Sequence, residues 1–325
     1  MLYLNESDIR RSISYEAMMD TMEEALRLFA RGEYVMADRL AVPGGDTTML
    51  YMPCFAGGFA GTKILASCPD NPSKGLPALS GIMLLNRADN GQIEAIMDGA
   101  TITALRTGAV GGMAVRHLAP EDAHTVGLVG CGVQGVHQLA YICRVRKIDR
   151  IYLFDSVQKD LAAFIGRLKG MLPSDAAGEI VVCASADEVL SNSEIVVTAT
   201  PSKQPLFSDD PELFKGKCIV AIGSWQPGMR ELPDAIWSVT PEVYTELPFA
   251  CEESGDLSQP LESGVLTEDR VKYFGDFLLA KDAGHVPELG STRFYKSVGM
   301  GIYDTMAAQQ IYRSAVENGF GQKLE

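Results

Sequence analysis

Three glycines lie close together in one apolar stretch, GLVGCGVQGVHQLA, at residues 127–140. Gly130, Gly132 and Gly135 have the spacing G-x-G-x-x-G between a strand-like run and a helix-like run. In that context the first glycine permits a tight turn, the second lets the backbone approach a phosphate, and the third lets helix and strand pack closely. The pattern indicates a site for a dinucleotide pyrophosphate, although a plain strand-to-helix turn can have the same spacing.

An acidic residue favours the dinucleotide over the plain turn. Asp155 ends the next strand-like run, RIYLFD, about 20 residues after Gly135, where a carboxylate can accept a hydrogen bond from a ribose hydroxyl. Its charge would repel a 2′-phosphate, so the sequence predicts NAD(H) as the preferred cofactor, with NADP(H) as the alternative. The simpler interpretation of Asp155 is a solvated turn residue.

Three basic residues lie in apolar surroundings: Lys63 in FAGTKILAS, Arg106 in ITALRTGAVGG and Arg39 in MADRLAVP. A lysine that faces a core is costly unless it is paired, and Arg106 has no acidic residue near it in the sequence. A guanidinium binds a carboxylate through two hydrogen bonds, and a desolvated lysine can exchange protons near neutral pH. Together they predict a cationic pocket, whereas the alternative for each is a side chain that points to solvent.

The composition excludes several classes of function. The chain has 325 residues, 46% of them hydrophobic, which is enough for two domains. We expect neither a membrane span nor a signal peptide, because no apolar run is long enough. Seven scattered cysteines without a C-x-x-C and only four histidines disfavour disulfides and a metal site. The net charge of −14 disfavours nucleic acid. We therefore expect a soluble cytoplasmic protein.

The second half of the chain alternates between strand-like and helix-like segments. The strand-like runs are HTVGLVG, RIYLFD, EIVVCA, EIVVTAT and KCIVAIGS. The helix-like segments between them are VQGVHQLAYICRV, VQKDLAAFIGRLKGML and ADEVLS. This alternation is typical of a parallel, doubly wound sheet of the Rossmann type.

The remaining segments predict a second, mixed α+β domain. Apolar spacing indicates a helix over residues 14–31. Residues 99–118, which are rich in small side chains, and about 299–317 are also predicted to be helical. Glycine-broken apolar runs over 47–98, with a turn at ADNGQ, indicate an antiparallel sheet or a partial barrel.

The sequence resembles the ornithine cyclodeaminase / mu-crystallin family nearly from end to end. The resemblance is carried by the Arg39 segment and by the motifs GTK at 61–63, GLPALSG at 75–81, TALRTGA at 103–109, GCGVQG at 130–135, TAT at 198–200, PGMREL at 227–232 and KSVGM at 296–300. The combination of ALRTGA with the later G-x-G-x-Q is fairly specific for the group, whereas the glycine motif alone is not.

The resemblance implies a homodimer with two domains per chain. Residues 1–118 and 302–325 would form a domain for substrate binding and dimerisation, and residues 119–301 the NAD-binding Rossmann domain. Arg39, Lys63 and Arg106 would hold a small imino or amino acid, and we expect Lys63 to be the catalytic proton donor. The residues expected at the cofactor are Ser80, Arg106, Thr107, Gly130, Gly132, Val133, Gln134, Gly135, Asp155, Thr200 and Ser297.

One departure from the family pattern bears on the reaction. Family members that are cyclodeaminases have an aspartate in a G-x-D-x-P-G segment, whereas this chain has GSWQPG with Trp225 at that place. An indole cannot exchange a proton at neutral pH. We therefore expect an NAD(P)H-dependent reductase of 2-imino acids, such as pyrroline-2-carboxylate or piperideine-2-carboxylate, or a related amino-acid dehydrogenase. The alternatives are an ornithine cyclodeaminase with bound NAD and a non-catalytic small-ligand binder.

Overall fold

The computed structural model describes residues 1–158, 160–173, 176, 178–285 and 288–325. The chain divides into two compact units, one formed by residues 1–106 with 299–325 and the other by residues 107–298. The division falls inside one continuous helix, Gly99–Leu118, whereas the sequence placed the domain boundary at the end of that helix. The roles assigned to the two predicted domains stay predictions.

The first unit combines a sheet with helices from both ends of the chain. Its strands are β1 Leu2–Leu4, β2 Tyr34–Met36, β3 Leu40–Gly44, β4 Thr47–Ala56, β5 Phe59–Ser67, β6 Leu79–Arg87, β7 Ile93–Asp98 and β16 Gln322–Lys323. Its helices are α1 Glu6–Ser12, α2 Tyr15–Ala30, α10 Gly301–Asn318 and the first part of α3, Gly99–Leu118. The predicted helices over 14–31, 99–118 and 299–317 are confirmed as α2, α3 and α10.

The sheet of the first unit is mostly antiparallel and has two different faces. The strand order is β16-β1-β7-β6-β5-β4-β2, with β3 also paired to β4, and only the β1–β7 pair is parallel. This confirms the antiparallel sheet predicted over 47–98. Along β4 and β5 alternate side chains are buried, as expected when one face packs on helices and the other stays open. Helix α10 packs on the buried face, and Lys63 points to that face.

The second unit contains a parallel sheet with helices along it. Its strands are β8 Thr125–Val129, β9 Arg150–Phe154, β10 Glu179–Val182, β11 Ile195–Thr198, β12 Cys218–Ala221, β13 Val243–Thr245, β14 Val271–Tyr273 and β15 Arg293–Lys296. Its helices are α4 Val133–Val145, α5 Ala162–Met171, α6 Ala186–Asn192, α7 Ala250–Glu253, α8 Gly255–Ser263 and α9 Phe274–Asp282. The strand order is β10-β9-β8-β11-β12-β15-β13-β14, and every pair is parallel.

The predicted doubly wound sheet is confirmed, and its five predicted strands correspond to β8 through β12. The segment VQKDLAAFIGRLKGML contains α5, but its residue 159 lies outside the described residues. Strands β13, β14 and β15 were not predicted, because two have three residues and the third has four, which is too short for a periodicity to show. Among the described helices, none combines the length and apolarity that a membrane crossing requires.

Candidate active site

Three side chains meet inside the first unit around one carboxylate. Lys63 on β5 donates from Nζ to Oδ2 of Asp304 on α10, at 2.6 Å. Arg106 on α3 donates from Nε to the other oxygen, Oδ1, at 3.0 Å. The sheet, α3 and α10 therefore each contribute one charged group to a single cluster, which we call the Lys63–Arg106–Asp304 cluster.

The cluster is almost completely shielded from solvent. Lys63 is 1% exposed, Arg106 5% and Asp304 0%. Burial lowers the pKa of Lys63 to about 7, against the attraction of Asp304, and the nearby Arg106 and Arg39 act in the same direction as burial. Burial alone would raise the pKa of Asp304, but the guanidinium of Arg106 and the ammonium of Lys63 outweigh it, so the pKa is lowered. The cluster holds an ionised acid beside an amine that changes charge near neutral pH.

Arg39 reaches the same region through the segment that precedes α10. Its Nη2 donates to the carbonyl oxygen of Gly299 at 3.0 Å. Gly299 has φ +79°, and a Cβ atom there would lie 2.7 Å from Nη1 of Arg106. A larger residue at 299 would be strained and would also displace the Arg106 guanidinium. The structure thus brings together the three basic residues that the sequence predicted.

The sequence reasoning missed Asp304, which is the residue that joins Lys63 to Arg106. It stands 241 positions from Lys63 and 198 from Arg106, so no local spacing relates them. One signal was available in the sequence. Asp304 is an acid within the largely apolar first turns of α10, GIYDTMAA, where an unpaired buried charge would be costly.

The glycine turn of the second unit lies between β8 and α4. Gly130 has φ +103°, and a Cβ atom there would lie 2.6 Å from the carbonyl oxygen of Ala199. At Gly135 a Cβ atom would lie 2.4 Å from the carbonyl oxygen of Gly130. Gly132 begins α4 without a side-chain cap, and no described atom lies within 4 Å of a Cβ built on it. An uncapped helix start with open space beside Gly132 is suited to an anion.

Asp155 follows β9, and its carboxylate binds the backbone of the glycine turn. Its Oδ2 accepts from the backbone N–H of Cys131 at 2.9 Å. Its Oδ1 accepts from the N–H groups of Val157 and Gln158 at 2.9 and 2.8 Å. A carboxylate has about four lone-pair positions, so these three donors leave roughly one for another partner. The carboxylate is held in one orientation beside the turn.

A buried acid that the sequence reasoning missed holds Thr200 after β11. Glu231 is fully buried, and its Oε1 accepts from the N–H and the hydroxyl of Thr200, at 2.7 and 2.8 Å. Burial, reinforced by Asp256, raises the pKa of Glu231. Asp256 in turn accepts from Lys296 Nζ at 3.0 Å. The signal for Glu231 was its place in the PGMREL motif, but nothing local showed what it would bind.

Ser297 follows β15 and is held by another buried acid. Its hydroxyl donates to Glu246 Oε1 at 3.0 Å, and the N–H of Val298 donates to the same oxygen at 2.8 Å. Gly130, Asp155, Thr200 and Ser297 all follow the carboxyl ends of parallel strands, so they share one edge of this sheet. That edge is the usual ligand-binding edge of such sheets.

The other predicted residues are distributed over both units. In the second unit, Val133 is exposed at the start of α4, Oε1 of Gln134 has no hydrogen-bond partner among the described residues, and the carbonyl of Thr107 accepts from Gln138 Nε2 at 2.7 Å. In the first unit, Ser80 lies exposed on β6, on the sheet face opposite to Lys63. Within the first unit, the structure therefore does not bring Ser80 to the Lys63–Arg106–Asp304 cluster.

Two further observations concern the rest of the chain. Trp225 is half-buried and follows β12 by a few residues. In the part of the chain that the structure describes, no group of three or more His, Cys, Asp or Glu side chains is arranged to hold a metal ion.

A parallel doubly wound sheet with an open glycine turn at its carboxyl edge is the architecture of dinucleotide-binding proteins. The family model for the ornithine cyclodeaminase/mu-crystallin family matches residues 2–319, and the chain belongs to this family. The resemblance found in the sequence is thereby confirmed.

Several relatives are similar over the whole chain. A Δ1-pyrroline-2-carboxylate reductase of Bacillus cereus is 30% identical over 331 residues, which cover 100% of both chains. The structure of Thermococcus litoralis Δ1-pyrroline-2-carboxylate reductase in complex with NADH and L-proline is 28% identical, with a TM-score of 0.90 and 100% coverage of both chains. An archaeal alanine dehydrogenase dimer with bound NAD is 28% identical, with a TM-score of 0.89 over 100% of this chain and 99% of that one.

The ion pairs of the Lys63–Arg106–Asp304 cluster predict a large effect of Asp304→Asn on stability. The variant leaves two buried basic groups without their counter-charge, so we expect the free energy of unfolding to fall by about 3–5 kcal/mol. Urea denaturation followed by circular dichroism measures it. The matched control is Asp89→Asn, which breaks an exposed pair with Arg87 and should leave the free energy of unfolding nearly unchanged, because solvent screens such a pair. Equal losses in the two variants would contradict the assigned role of Asp304.

Proposed function

We propose that this protein is an NADH-dependent reductase of small cyclic 2-imino acids, such as pyrroline-2-carboxylate or piperideine-2-carboxylate. The observation that carries the proposal is the Lys63–Arg106–Asp304 cluster, which offers a guanidinium and a neutral-range amine in one buried place. The relatives support the same reaction class, since two of them are named as reductases of Δ1-pyrroline-2-carboxylate.

The residues of the second unit fit a dinucleotide. The open space at Gly132 and the uncapped first turn of α4 suit a pyrophosphate. When bound, NADH supplies the hydride. The residues that would hold it are Thr107, Gly130, Gly132, Val133, Gln134, Gly135, Asp155, Thr200 and Ser297. Ser80 and Arg106 of the first unit complete the proposed set. The relatives with bound NADH and NAD support this choice of cofactor.

We assign the binding of the substrate carboxylate to two arginines, Arg106 and Arg39. Arg106 uses its Nε for Asp304, so the fork of Nη1 and Nη2 is the part of its guanidinium suited to a second, bidentate carboxylate. Arg39 adds a positive charge to the same region, where it already lowers the pKa of Lys63. Lys63 and Arg106 share the single carboxylate of Asp304, so the carboxylate of an anionic substrate would add a second counter-charge to this pair.

The proton for the reduction is assigned to Lys63. Reduction of a C=N bond adds a hydride to carbon and a proton to nitrogen, and the products are an amine and NAD⁺. A pKa of about 7 leaves roughly half of the Lys63 side chains protonated at neutral pH. Asp304 holds Nζ in one position, so the ammonium acts as a general acid of fixed geometry.

The assignment of Lys63 predicts how the rate changes with pH and on mutation. The protonated amine is the active form in reduction, so kcat/KM should fall as the pH rises through about 7, whereas oxidation of the amine should speed up over the same range. Lys63→Met should lower kcat about 10²- to 10⁴-fold and abolish this pH dependence, while NADH still binds. Steady-state kinetics from pH 5 to about 9 test both points.

Two further variants serve as comparisons for Lys63→Met. Arg106→Lys keeps a charge but loses the fork, so its loss should fall mainly on KM for the imino acid. Lys215→Met removes an exposed lysine on the second unit and should change neither parameter. If Lys63→Met has the kcat and pH profile of the parent protein, another group is the proton donor.

The reaction class is tested by a panel of substrates. Cyclic 2-imino acids should give stoichiometric oxidation of NADH. The panel includes 2-oxo acids with ammonia, because the similarity to an alanine dehydrogenase favours reductive amination as the second candidate. With Trp225 in place of the family aspartate, L-ornithine should release little ammonia. Efficient ammonia release without net change in NADH would establish a cyclodeaminase instead, and ligand binding without turnover would establish a binding protein.

The position of Asp155 predicts a preference for NADH over NADPH. Three backbone N–H groups hold the carboxylate, so it cannot turn away from a 2′-phosphate. Two like charges about 4 Å apart cost about 1–4 kcal/mol, which is roughly a 5- to 1,000-fold difference in affinity. Kinetics with both cofactors measure the ratio. Equal or better efficiency with NADPH would show that Asp155 does not face the ribose.

The open face of the first-unit sheet is the proposed dimer interface. Val35, Leu40, Val42 and Phe55 share this face by register and are all exposed, Val35 by 70% and Phe55 by 50%. An apolar patch of this kind is typical of a surface that meets a partner. The dimeric alanine dehydrogenase supports a second copy of this chain. Light scattering should give a dimer, and Phe55→Asp should shift it to monomer; a monomeric parent protein would contradict the proposal.

The cysteines support a cytoplasmic location. All seven are free, and five of them are buried. Burial raises the pKa of Cys218, Cys143, Cys131 and Cys54 to about 12, which keeps these thiols protonated and inert. Free thiols are typical of a reducing compartment. Detection of a native disulfide by intact-mass analysis without reductant would argue against this location.

A further inference from the structure

The Glu231 carboxylate joins the ends of two neighbouring strands. Its Oε1 accepts from the N–H and hydroxyl of Thr200 after β11, at 2.7 and 2.8 Å. Its Oε2 accepts from the hydroxyl of Thr198, at the end of β11, and from the N–H of Gly223 after β12, both at 2.8 Å. The backbone N–H of Glu231 donates to Asp256 at 2.7 Å. One fully buried side chain therefore fixes the positions of both strand ends.

These strand ends lie on a defined side of the glycine turn. The strand order places β9, with Asp155 at its end, on one side of β8, and β11 and β12 on the other. If the pyrophosphate lies at the turn after β8 and a ribose at Asp155, the other half of the dinucleotide extends over the ends of β11 and β12. Thr200 is only half-buried there, so a ligand can reach its hydroxyl.

The direction of the hydrogen bonds determines what Thr200 can bind. A backbone N–H can only donate, so the N–H groups of Thr200 and Gly223 define both oxygens of Glu231 as acceptors. A hydroxyl has a single proton, and Thr200 gives this proton to Glu231. The remaining capacity of the Thr200 oxygen is two lone pairs, of which one accepts from the N–H of Ser202 at 3.3 Å and the other is left for a ligand. Toward a ligand it is therefore an acceptor, which suits an N–H donor and not a carbonyl or phosphate oxygen.

We propose that Glu231 is a positioning residue that makes Thr200 a hydrogen-bond acceptor for the primary amide of a bound nicotinamide. The inference rests on the proposed use of NADH and adds which group of the cofactor is recognised. The amide is the natural partner because it carries N–H donors at the end of the dinucleotide opposite to the ribose at Asp155. Ser297, whose hydroxyl is held by Glu246, repeats the arrangement after β15.

The test compares NADH with two reduced analogues, one that lacks the NH₂ group of the amide and one that keeps it. The 3-acetylpyridine analogue of NADH carries a methyl group in place of the amide nitrogen, whereas the thionicotinamide analogue keeps the NH₂ group. Dissociation constants are measured on the intact protein by fluorescence titration, without substrate. The parent should bind NADH about 5- to 10-fold more tightly than the acetylpyridine analogue, as one neutral hydrogen bond implies, and the thionicotinamide analogue like NADH.

Variants at Thr200 and Glu231 then separate recognition from structure. We call the ratio of the dissociation constants, acetylpyridine analogue over NADH, the preference for NADH. Thr200→Val should lower this preference to about 1, and Thr200→Ser should keep the parent value. Glu231→Gln has one acceptor oxygen for two N–H groups and should reduce the preference at least about twofold. Ser193→Ala is the matched control, because it removes a buried hydroxyl bond before the start of β11, and it should leave the preference unchanged.

Each binding result tests one part of the proposal. An unchanged preference in Thr200→Val would overturn the acceptor role of Thr200. A lost preference in Thr200→Val with the parent preference in Glu231→Gln would overturn the role of Glu231. If circular dichroism shows that Glu231→Gln is unfolded, Glu231→Asp replaces it, since its shorter carboxylate cannot reach both strand ends, and the same reduction is expected. Failure of the parent to bind NADH at all would overturn the proposed function together with this inference.

Discussion

The first unit depends on the ionic contact between Asp304 and its two basic neighbours. Neither Lys63 nor Arg106 could remain buried alone, because the desolvation of an unpaired charge exceeds what packing returns. The single carboxylate allows both to point into the interior, at 2.6 and 3.0 Å from its two oxygens. One carboxylate faces two basic groups, and the proposed function assigns the remaining positive charge to the binding of an anionic substrate. The same contact thus supports the fold and the proposed chemistry.

Carboxylates, two of them fully buried and one partly buried, have a related role at the carboxyl edge of the second unit. Asp155, Glu231 and Glu246 each accept backbone N–H groups from segments that follow a strand. Loops at this edge would otherwise have unpaired donors and many conformations. By binding the donors, the acids hold the loops in place, and two of them also orient a hydroxyl group, on Thr200 and Ser297.

The residue at position 225 bears on which reaction we propose for this chain. Reduction of an imine needs a clamp for a carboxylate, a hydride source and one proton donor. In the proposed function, the Lys63–Arg106–Asp304 cluster supplies the clamp and the donor. Cyclodeaminases need an additional acid or base, for which an indole is unsuited. The proposed assignment to a reductase therefore depends on the absence of an aspartate at position 225 as well as on the presence of the Lys63–Arg106–Asp304 cluster.

The sequence by itself determined the local features of this protein. The parallel sheet, helices α2, α3, α4 and α10 and the glycine turn could be predicted because periodicity and turn chemistry act over a few residues. Lys63 and Arg106 stood out because their charges lie in apolar runs. Only the tertiary structure decided their partner, since Asp304 is 198 and 241 positions away and sequence spacing carries no information at that range. The same holds for Glu231 at Thr200, and for β13 to β15, whose three or four residues are too few to show a strand periodicity and whose pairing is decided by their neighbours in the sheet.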